Sequence, residues 1–464
     1  MSVKNNILKN ATANIFSKFT NTFIRLLQVP LLIHFLGVED LGRWTVLYTI
    51  PSWLGFANLG FGSAGANQMS MFIAEGNLNG ARKVFSTTIA TITLITIFGS
   101  IICILIVPFI RWDVLLKTNE VRNKELYLSV IWMCITIFIS FYNEAFLGIF
   151  RAAHKTHFAV LLSSTLPWLN LLCMFVVLNF STSFDYIALS LLLSNILFLA
   201  IYAILSKKAM PEISFSLKFV EFKNFKYLFR KGFAFQAFPV GNALLIQGNI
   251  IIVQFILGPV AVALYSTAKT LVNTIKQAMD VISQATWPEL SHVIGANDMK
   301  RAALIHRAGV SLSIVVSVFG VIALALFGEK IYSLWVGKSI LLPFHLLLLF
   351  LIPMPLQSLW VTSSVVHMAS NKHEGLAVRY ILATLISSIV SIFLTYTFGI
   401  GGAAISIGIM DIILIPYVIK NSLNITNDTW SEFLFGIFNY IKNLPRLIIF
   451  ISQKILKYSA LDAK

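Results

Sequence analysis

Apolar residues run along this chain in long blocks, separated by short clusters of Lys, Arg, Gly, Pro and Asn. A bilayer-spanning helix needs about 20 such residues. Twelve blocks qualify, near 11–36, 44–72, 86–110, 126–150, 158–180, 184–206, 232–257, 261–287, 304–327, 340–368, 376–398 and 401–420. The pattern predicts an all-α integral membrane protein with about twelve transmembrane helices, because backbone polar groups must be satisfied inside each span. The first block is too long for a signal peptide and lacks a small-residue cleavage site, so it is expected to remain as the first span.

One block breaks the apolar rule. The eighth carries Lys269, Asn273, Lys276, Asp280 and Gln284 at steps of three and four, with Gln277 beside the row. That spacing places them on one helical face. A charge near the bilayer centre costs roughly 3 kcal/mol on insertion scales. Lys276 and Asp280 stand too far from either end to reach water fully by extension. The face is therefore expected to line a wet interior. The first block repeats the pattern with Asn14, Lys18, Asn21, Arg25 and Gln28, and the seventh adds Gln236, Asn242, Gln247, Asn249 and Gln254. Glycines at 55, 60, 62 and 65 in the second block allow bending or close helix approach, and Pro353 and Pro355 interrupt the tenth.

Composition agrees. Only 12% of the residues are charged and mean hydropathy is +0.82, whereas soluble domains carry about 25% charged residues. The net charge of +16 borders the spans and forms no soluble domain. This excludes nucleic acid as a partner and favours anionic membrane lipids. With the N-terminus in the cytoplasm, 25 Lys and Arg fall on that side and 7 on the other. The outer seven are Arg43, Arg111, Lys117, Arg122, Lys124, Lys330 and Lys338, four of them in the 111–125 loop. Arg25, Lys269 and Lys276 stay inside the membrane. The asymmetry predicts cytoplasmic termini. Cys103, Cys134 and Cys173 lie in three separate blocks and read as small core residues. The eight histidines show no metal spacing, and the chain has no phosphate-cradling loop, catalytic triad or paired carboxylates. No metal and no cofactor are expected.

The chain also repeats itself. Leu36-Gly37 followed by Leu41-Gly42-Arg43-Trp44 is similar to Leu257-Gly258 followed by Val262-Ala263-Leu264-Tyr265, 221 residues later. Glu75-Gly76-Asn77 is similar to Gly295-Ala296-Asn297. Six spans per half, an even number, make the repeat parallel. The domains expected are an N-lobe over 1–206, a cytoplasmic amphipathic linker over 207–231, a C-lobe over 232–420 and an interfacial tail over 421–464. Phe215, Phe219, Phe222, Phe225 and Phe229 at helical spacing predict a surface helix in the linker.

A lumen with more bases than acids favours an anion. Arg offers a planar fork suited to phosphate, and Lys a mobile point charge. Substrate-binding candidates are Arg25, Lys269, Lys276, Asn21, Gln28, Asn242, Asn249 and Asn273. Asp280 is expected to pair with Lys276 at i+4. As the carboxylate set deepest in a span it is also the candidate for coupling to a proton or sodium gradient. Structural pairing of Arg25 with an acid such as Asp280 remains open.

Two groups of residues carry a family resemblance. One is Val29-Pro30-Leu31-Leu32 running into Leu36-Gly37 and Leu41-Gly42-Arg43-Trp44. The other is Asn58-Leu59-Gly60-Phe61-Gly62 followed by Glu75-Gly76-Asn77. With Trp287-Pro288-Glu289-Leu290 and the repeat, they resemble the polysaccharide transporter branch of the multidrug/oligosaccharidyl-lipid/polysaccharide superfamily, most of all the Wzx O-antigen flippases. The resemblance covers about residues 5–420. It implies a V-shaped, MATE-like fold of two six-helix lobes working by alternating access in the bacterial inner membrane. It implies an undecaprenyl-diphosphate-linked oligosaccharide as substrate, moved from the cytoplasmic to the periplasmic leaflet. Polysaccharide polymerase and chain-length regulator proteins are the implied partners. Cations on the first and eighth helices are associated with the diphosphate in such relatives, and Arg25 and Lys269 or Lys276 match by position. Asn58 stands where an Asp often precedes Leu-Gly, which leaves a carboxylate role there in doubt. A small-molecule or drug antiporter is the alternative within the superfamily. A polysaccharide polymerase or membrane glycosyltransferase is the alternative outside it, though no outer loop here is large enough to suit one.

The charge asymmetry generates a topology test. Reporter fusions after Lys208 and after Lys420 are expected to read cytoplasmic, and a periplasmic signal at either would overturn the assignment.

Overall fold

The computed structural model of the protein describes residues 3–58, 60–221, 225 and 237–443. Among them there is no strand. The helices run α1 Val3–Ser52, α2 Phe61–Ala74, α3 Leu78–Ile106, α4 Trp112–Leu115, α5 Asn123–Ala152, α6 Thr156–Ser163, α7 Thr165–Leu178 and α8 Phe184–Ala209. After the linker come α9 Ala237–Leu257, α10 Pro259–Gly295, α11 Met299–Val336, α12 Phe344–Leu351, α13 Pro353–Ala369, α14 Glu374–Thr426 and α15 over 430–443.

By length and composition, nine helical stretches of the described residues are able to cross a membrane. Two of these, Thr12–Ile73 and Glu374–Thr426, are divided by glycines in non-helical conformations, Gly37 at φ 79°, ψ 177° and Gly399 at φ 60°, ψ −141°. Helix α10 is apolar on its other faces and is kept off that set by its charged row. Divided at the two glycines and with α10 added, the described residues hold the twelve expected spans.

The interruptions have local causes. The second span tightens into a 3-10 turn over Trp53–Asn58 and bends at Gly60, which sits at φ 70°. A Cβ at Gly62 would lie 2.6 Å from Glu144 Cβ, so a glycine there lets α2 approach α5 closely. The fifth span divides at Ser164, where the Pro167 ring conflicts with the carbonyl one turn earlier. The tenth divides at Ile352, ahead of Pro353 and Pro355, as expected.

The repeat is visible in how helices stop. Gly37 and Gly258 both take positive φ, at 79° and 92°. So do Gly76 and Asn297 (75° and 59°), Lys117 and Gly337 (53° and 83°), and His154 and Asn371 (56° and 54°). At the second pair the hydrogen bonds repeat as well. Asn77 N–H donates to Phe72 O at 2.8 Å and Asp298 N–H to Val293 O at 2.9 Å, the long bond of a Schellman cap in each half. The next helix then starts on the same device: Asn77 Oδ1 accepts from Gly80 N–H at 2.8 Å, and Asp298 Oδ1 from Arg301 N–H at 3.1 Å. This corrects the alignment by one residue, because Gly76 corresponds to Asn297 and Asn77 to Asp298.

The chain forms two compact units. One comprises Met1–Thr267, Tyr332–Leu341 and Thr395–Ile400, and the other Ala268–Ile331, Leu342–Leu394 and Gly401–Lys464. In the first, α5 packs against α2, α3 and α8, and α1 against α5, α6, α7 and α9. Phe150, Ala159, Phe198 and Tyr202 form one of its buried clusters. At one end Arg43 is 9% exposed and gathers the loops. It donates to Leu116 O at 3.3 Å, Lys117 O at 3.0 Å and Asp40 at 2.6 Å, and pairs with Glu39. Arg122 bonds Asp40 and Glu125 at 3.0 and 3.2 Å, and Arg111 bonds Asp113 at 2.7 Å. The arginines that crowd the 111–125 loop are thus neutralised locally.

The opposite end of this unit carries the linker. Arg82 donates to Glu212 O at 2.6 Å, Lys83 pairs with Glu221 at 2.6 Å, and Ser216 N–H reaches Ser86 Oγ at 3.2 Å. Pulled along α3 in this way, residues 210–221 have only a 3-10 turn at Leu217–Phe219, so the expected helix does not include Phe215 and Phe219, whereas Phe225 is helical, its N–H donating to Glu221 O at 3.3 Å. Phe222 and Phe229 lie outside the described residues, as do tail residues 444–464.

In the second unit, Leu290, Val293, Ala302, Val365 and Val366 form one cluster, and Val310, Ile419, Leu423, Phe433 and Ile437 another. The second cluster docks the tail helix α15, whose approach is fixed by Arg307 donating to Asp428 at 2.8 Å and Glu432 at 3.1 Å.

Close packing at Gly42 generates a test. A Cβ there would overlap the backbone carbonyl of Pro259, which cannot rotate away. Gly42→Ala is expected to cost at least the roughly 1–3 kcal/mol of an overpacked core and to lower the yield of monodisperse protein from membranes. Gly55→Ala, with nothing within 4 Å of the added carbon, is the control and should match wild type.

Candidate functional site: the cationic row of α10

Helix α10 starts cleanly. Gly258 at φ 92° ends α9, and Pro259 opens the next helix, where its missing N–H costs nothing. Val262, Ala263, Tyr265, Ala268, Leu271, Val272, Ile275 and Met279 are buried and hold the helix in place. Beside them Lys269, Asn273, Lys276, Gln277 and Asp280 are half-buried, and Gln284 is exposed. The predicted row therefore exists as one stripe on a helix whose remaining surface is apolar.

Its pairing differs from expectation. Lys276 makes no hydrogen bond or ion pair with any described residue, so the i+4 bridge to Asp280 does not form. Lys276 acts electrostatically on Lys269, two turns away, and on Asp411 of α14. Lys269 and Lys276 thus put two like charges on one face of α10, Lys276 with no hydrogen-bond or ion-pair partner among the described residues. Asp280 is half-buried, whereas Asp411 on α14 is fully buried.

The other candidates lie in the first unit. Arg25 is exposed on α1 and makes no hydrogen bond or ion pair with a described residue. Asn21 and Gln28 share its helix and are half-buried; Asn21 Nδ2 is 3.4 Å from Ser17 Oγ, and Gln28 Nε2 is 3.9 Å from Met174 Sδ. Asn242 is exposed on α9. Asn249, on the same helix, is fully buried and bonds the Tyr265 hydroxyl. The 221-residue repeat places Asn249 opposite Gln28 in sequence, yet their surroundings differ.

Sequence reasoning missed the setting of Asp411. Its carboxyl accepts from Trp360 Nε1 at 2.7 Å. The available signal was a lone acid between Met410 and Ile412 in an otherwise apolar stretch.

The chain shares its fold with solved membrane transporters. Its fold matches "Inward-facing conformation of a multidrug resistance MATE family transporter of the MOP superfamily", at 15% identity and TM-score 0.70 over 88% of this chain and 99% of that one. It also matches "Lipid II flippase MurJ, inward closed conformation", at 15% identity and TM-score 0.68 over 96% and 99%. Within that class the chain belongs to the family of polysaccharide biosynthesis proteins, whose model matches residues 7–294. It is similar to the putative O-antigen transporter of Shigella flexneri, 21% identical over 341 residues, 72% of this chain and 77% of that protein. The putative O-antigen transporter of Escherichia coli K12 is 23% identical over 66% of this chain and 70% of its own length. The chain is a membrane transporter of this family.

Whether the stripe meets water is directly measurable. With Cys103, Cys134 and Cys173 replaced, Asn273→Cys and Lys276→Cys are expected to react with a small water-soluble thiol reagent. Val272→Cys and Met279→Cys, on the buried face, are not. Equal labelling of both pairs would show that the stripe is no aqueous lining.

Proposed function

We propose that the protein is a flippase for an undecaprenyl-diphosphate-linked oligosaccharide. It carries the repeat unit of a surface polysaccharide from the cytoplasmic to the periplasmic leaflet of the bacterial inner membrane by alternating access, with both termini in the cytoplasm. The observation that carries this reading is the half-buried Lys269–Asn273–Lys276 row, in which Lys276 makes no hydrogen bond or ion pair with a described residue. A cation survives inside a membrane only with a partner or a use. Family membership and the names of the relatives, O-antigen transporters, support a lipid-linked sugar over other anions.

The roles follow from chemistry. Lys269 and Lys276 on α10 bind the diphosphate as point charges, and Arg25 on α1, in the other unit, offers a planar fork suited to phosphate. Asn21, Gln28, Asn242 and Asn273 offer amides to sugar hydroxyls, and Asn249 supports α10 through Tyr265. The lipid tail stays in hydrocarbon. A cationic drug would meet like charges on α10, which disfavours an antiporter of that kind.

The test is surface polysaccharide made by a strain carrying each variant as its only copy, with the amount of protein in the membrane measured separately. Charge-assisted phosphate contacts contribute roughly 1.5–3 kcal/mol each, so Arg25→Ala and Lys276→Ala should each weaken binding by about one to two decades. Arg25→Lys should retain part of the activity, since the charge remains while the fork is lost. Normal polysaccharide from stable Arg25→Ala and Lys276→Ala proteins would refute the diphosphate reading.

A further inference from the structure

Pro30 stands inside α1 and has no backbone N–H, so the carbonyl of Leu26, one turn earlier, loses its helical partner. That carbonyl is not left bare. The Trp335 indole N–H, from the end of α11, donates to it at 2.6 Å. Trp335 meets the Tyr332 ring edge-on, with centroids 6.0 Å apart, and the Tyr332 hydroxyl lies 2.6 Å from Thr267 Oγ1 of α10. Tyr332 and Thr267 are both buried. One line of contacts therefore runs from α1 through α11 to α10.

Other second-half residues are tied to the first half in the same way. Gln254 Nε2, near the end of α9, donates to Leu115 O of α4 at 3.0 Å, and Lys117 Nζ donates to Phe255 O at 3.3 Å. Leu115 and Phe255 stand at helix ends, where a carbonyl has no donor from its own helix. The Pro259 carbonyl lies against Gly42. All of these residues, with Tyr332–Leu341, belong to the first compact unit, although α9 to α11 are second-half helices by sequence. From Ala268 onward in α10, and up to Ile331 in α11, the chain belongs to the other unit. The division crosses both helices at the Thr267–Tyr332 contact, just before Lys269.

Arg43, Lys117 and Lys338 put this joint at the end that the charge asymmetry assigns to the periplasm. Each donor in it reaches a carbonyl that water can also bond, so the joint parts by exchanging a few hydrogen bonds with solvent. We propose that Trp335 is the latch of an outer gate. Its indole closes the end of α11 on α1 through the carbonyl that Pro30 frees, and the bond breaks each time the outer face opens to release the lipid-linked sugar. The proposal rests on the alternating-access reading. On that topology Leu26 lies one residue outward of Arg25, and Thr267 two residues outward of Lys269. The latch therefore joins the helices that carry the diphosphate cations, on the periplasmic side of both, and when closed it shuts the way out from them.

Trp335→Phe keeps an aromatic ring and removes the donor. Asn119, in the 111–125 loop, and Ser339, beyond α11, are exposed and can carry spin labels as Asn119→Cys and Ser339→Cys, with Cys103, Cys134 and Cys173 replaced. Pulsed dipolar spectroscopy of the full-length protein in lipid nanodiscs then reads the outer end directly. With Trp335 in place it is expected to show a shorter and a longer distance. Trp335→Phe should shift the ratio of the two toward the longer by about fivefold, the usual net effect of losing one hydrogen bond. Pro30→Ala restores a backbone N–H to Leu26 O, so on that background Trp335→Phe should shift the ratio by about twofold or less. No shift in Trp335→Phe, or the full shift on both backgrounds, would overturn the latch and leave the flippase reading standing, because surface polysaccharide tests that reading separately. A single unchanged distance in every protein would overturn the latch together with alternating access.

Discussion

The cost of charge in hydrocarbon is the constraint on which this structure depends. Lys269 and Lys276 stand on a helix that is otherwise built for a membrane, with Tyr265, Ala268, Val272, Ile275 and Met279 buried on its other faces. Those residues fix the helix so that the cations occupy one stripe. Neither lysine is neutralised by an acid at i+4, since Lys269 has none there and the bridge from Lys276 to Asp280 is not made. Among the described residues, Asp411, enclosed in a separate helix, acts on Lys276 electrostatically. A charge held in a span without a bonded counter-ion is costly for stability.

The rest of the fold supplies ends and turns that let such helices lie side by side. Each half stops its helices on residues at positive φ in the same order, and at Asn77 and Asp298 the following helix begins with the same side-chain cap. At a membrane boundary this economy matters, because the last carbonyls of a helix must find donors before the chain turns back. Arg43 serves the same purpose at one end of the first unit by binding two loop carbonyls and two acids. The four cations of the 111–125 loop conflict with a simple count of positive charge. Arg111 and Arg122 lose much of that weight once Asp113, Asp40 and Glu125 are seen beside them.

Several readings from sequence failed for reasons that are physical. Phe215 and Phe219 have helical spacing with Phe225, which is helical, but the hydrogen bonds and ion pair that residues 212–221 make with α3 keep these two out of that helix. Period alone cannot anticipate a competing set of partners. Gly76 was matched one residue out because the motif was aligned on Asn, whereas backbone conformation aligns Gly76 with Asn297, both of which tolerate the left-handed region. Asn249 looked like the other amides of its helix until its partner, Tyr265, came into view from the next one.

The number of spans, the breaks at Pro353 and Gly37, the repeat and the polar stripe on α10 were all determined by the sequence, because each follows from helical period, backbone permissiveness or the price of polarity in a bilayer. These are local quantities, set within a few turns of one chain segment. Which charges meet was decided only by tertiary structure. Asp280 is four residues from Lys276 and forms no bridge with it, while Asp411, 135 residues away, is brought within its field by the packing of α14 in the same unit. A side chain's partner depends on what the neighbouring helix presents at that height, and no periodicity within a single segment carries that information.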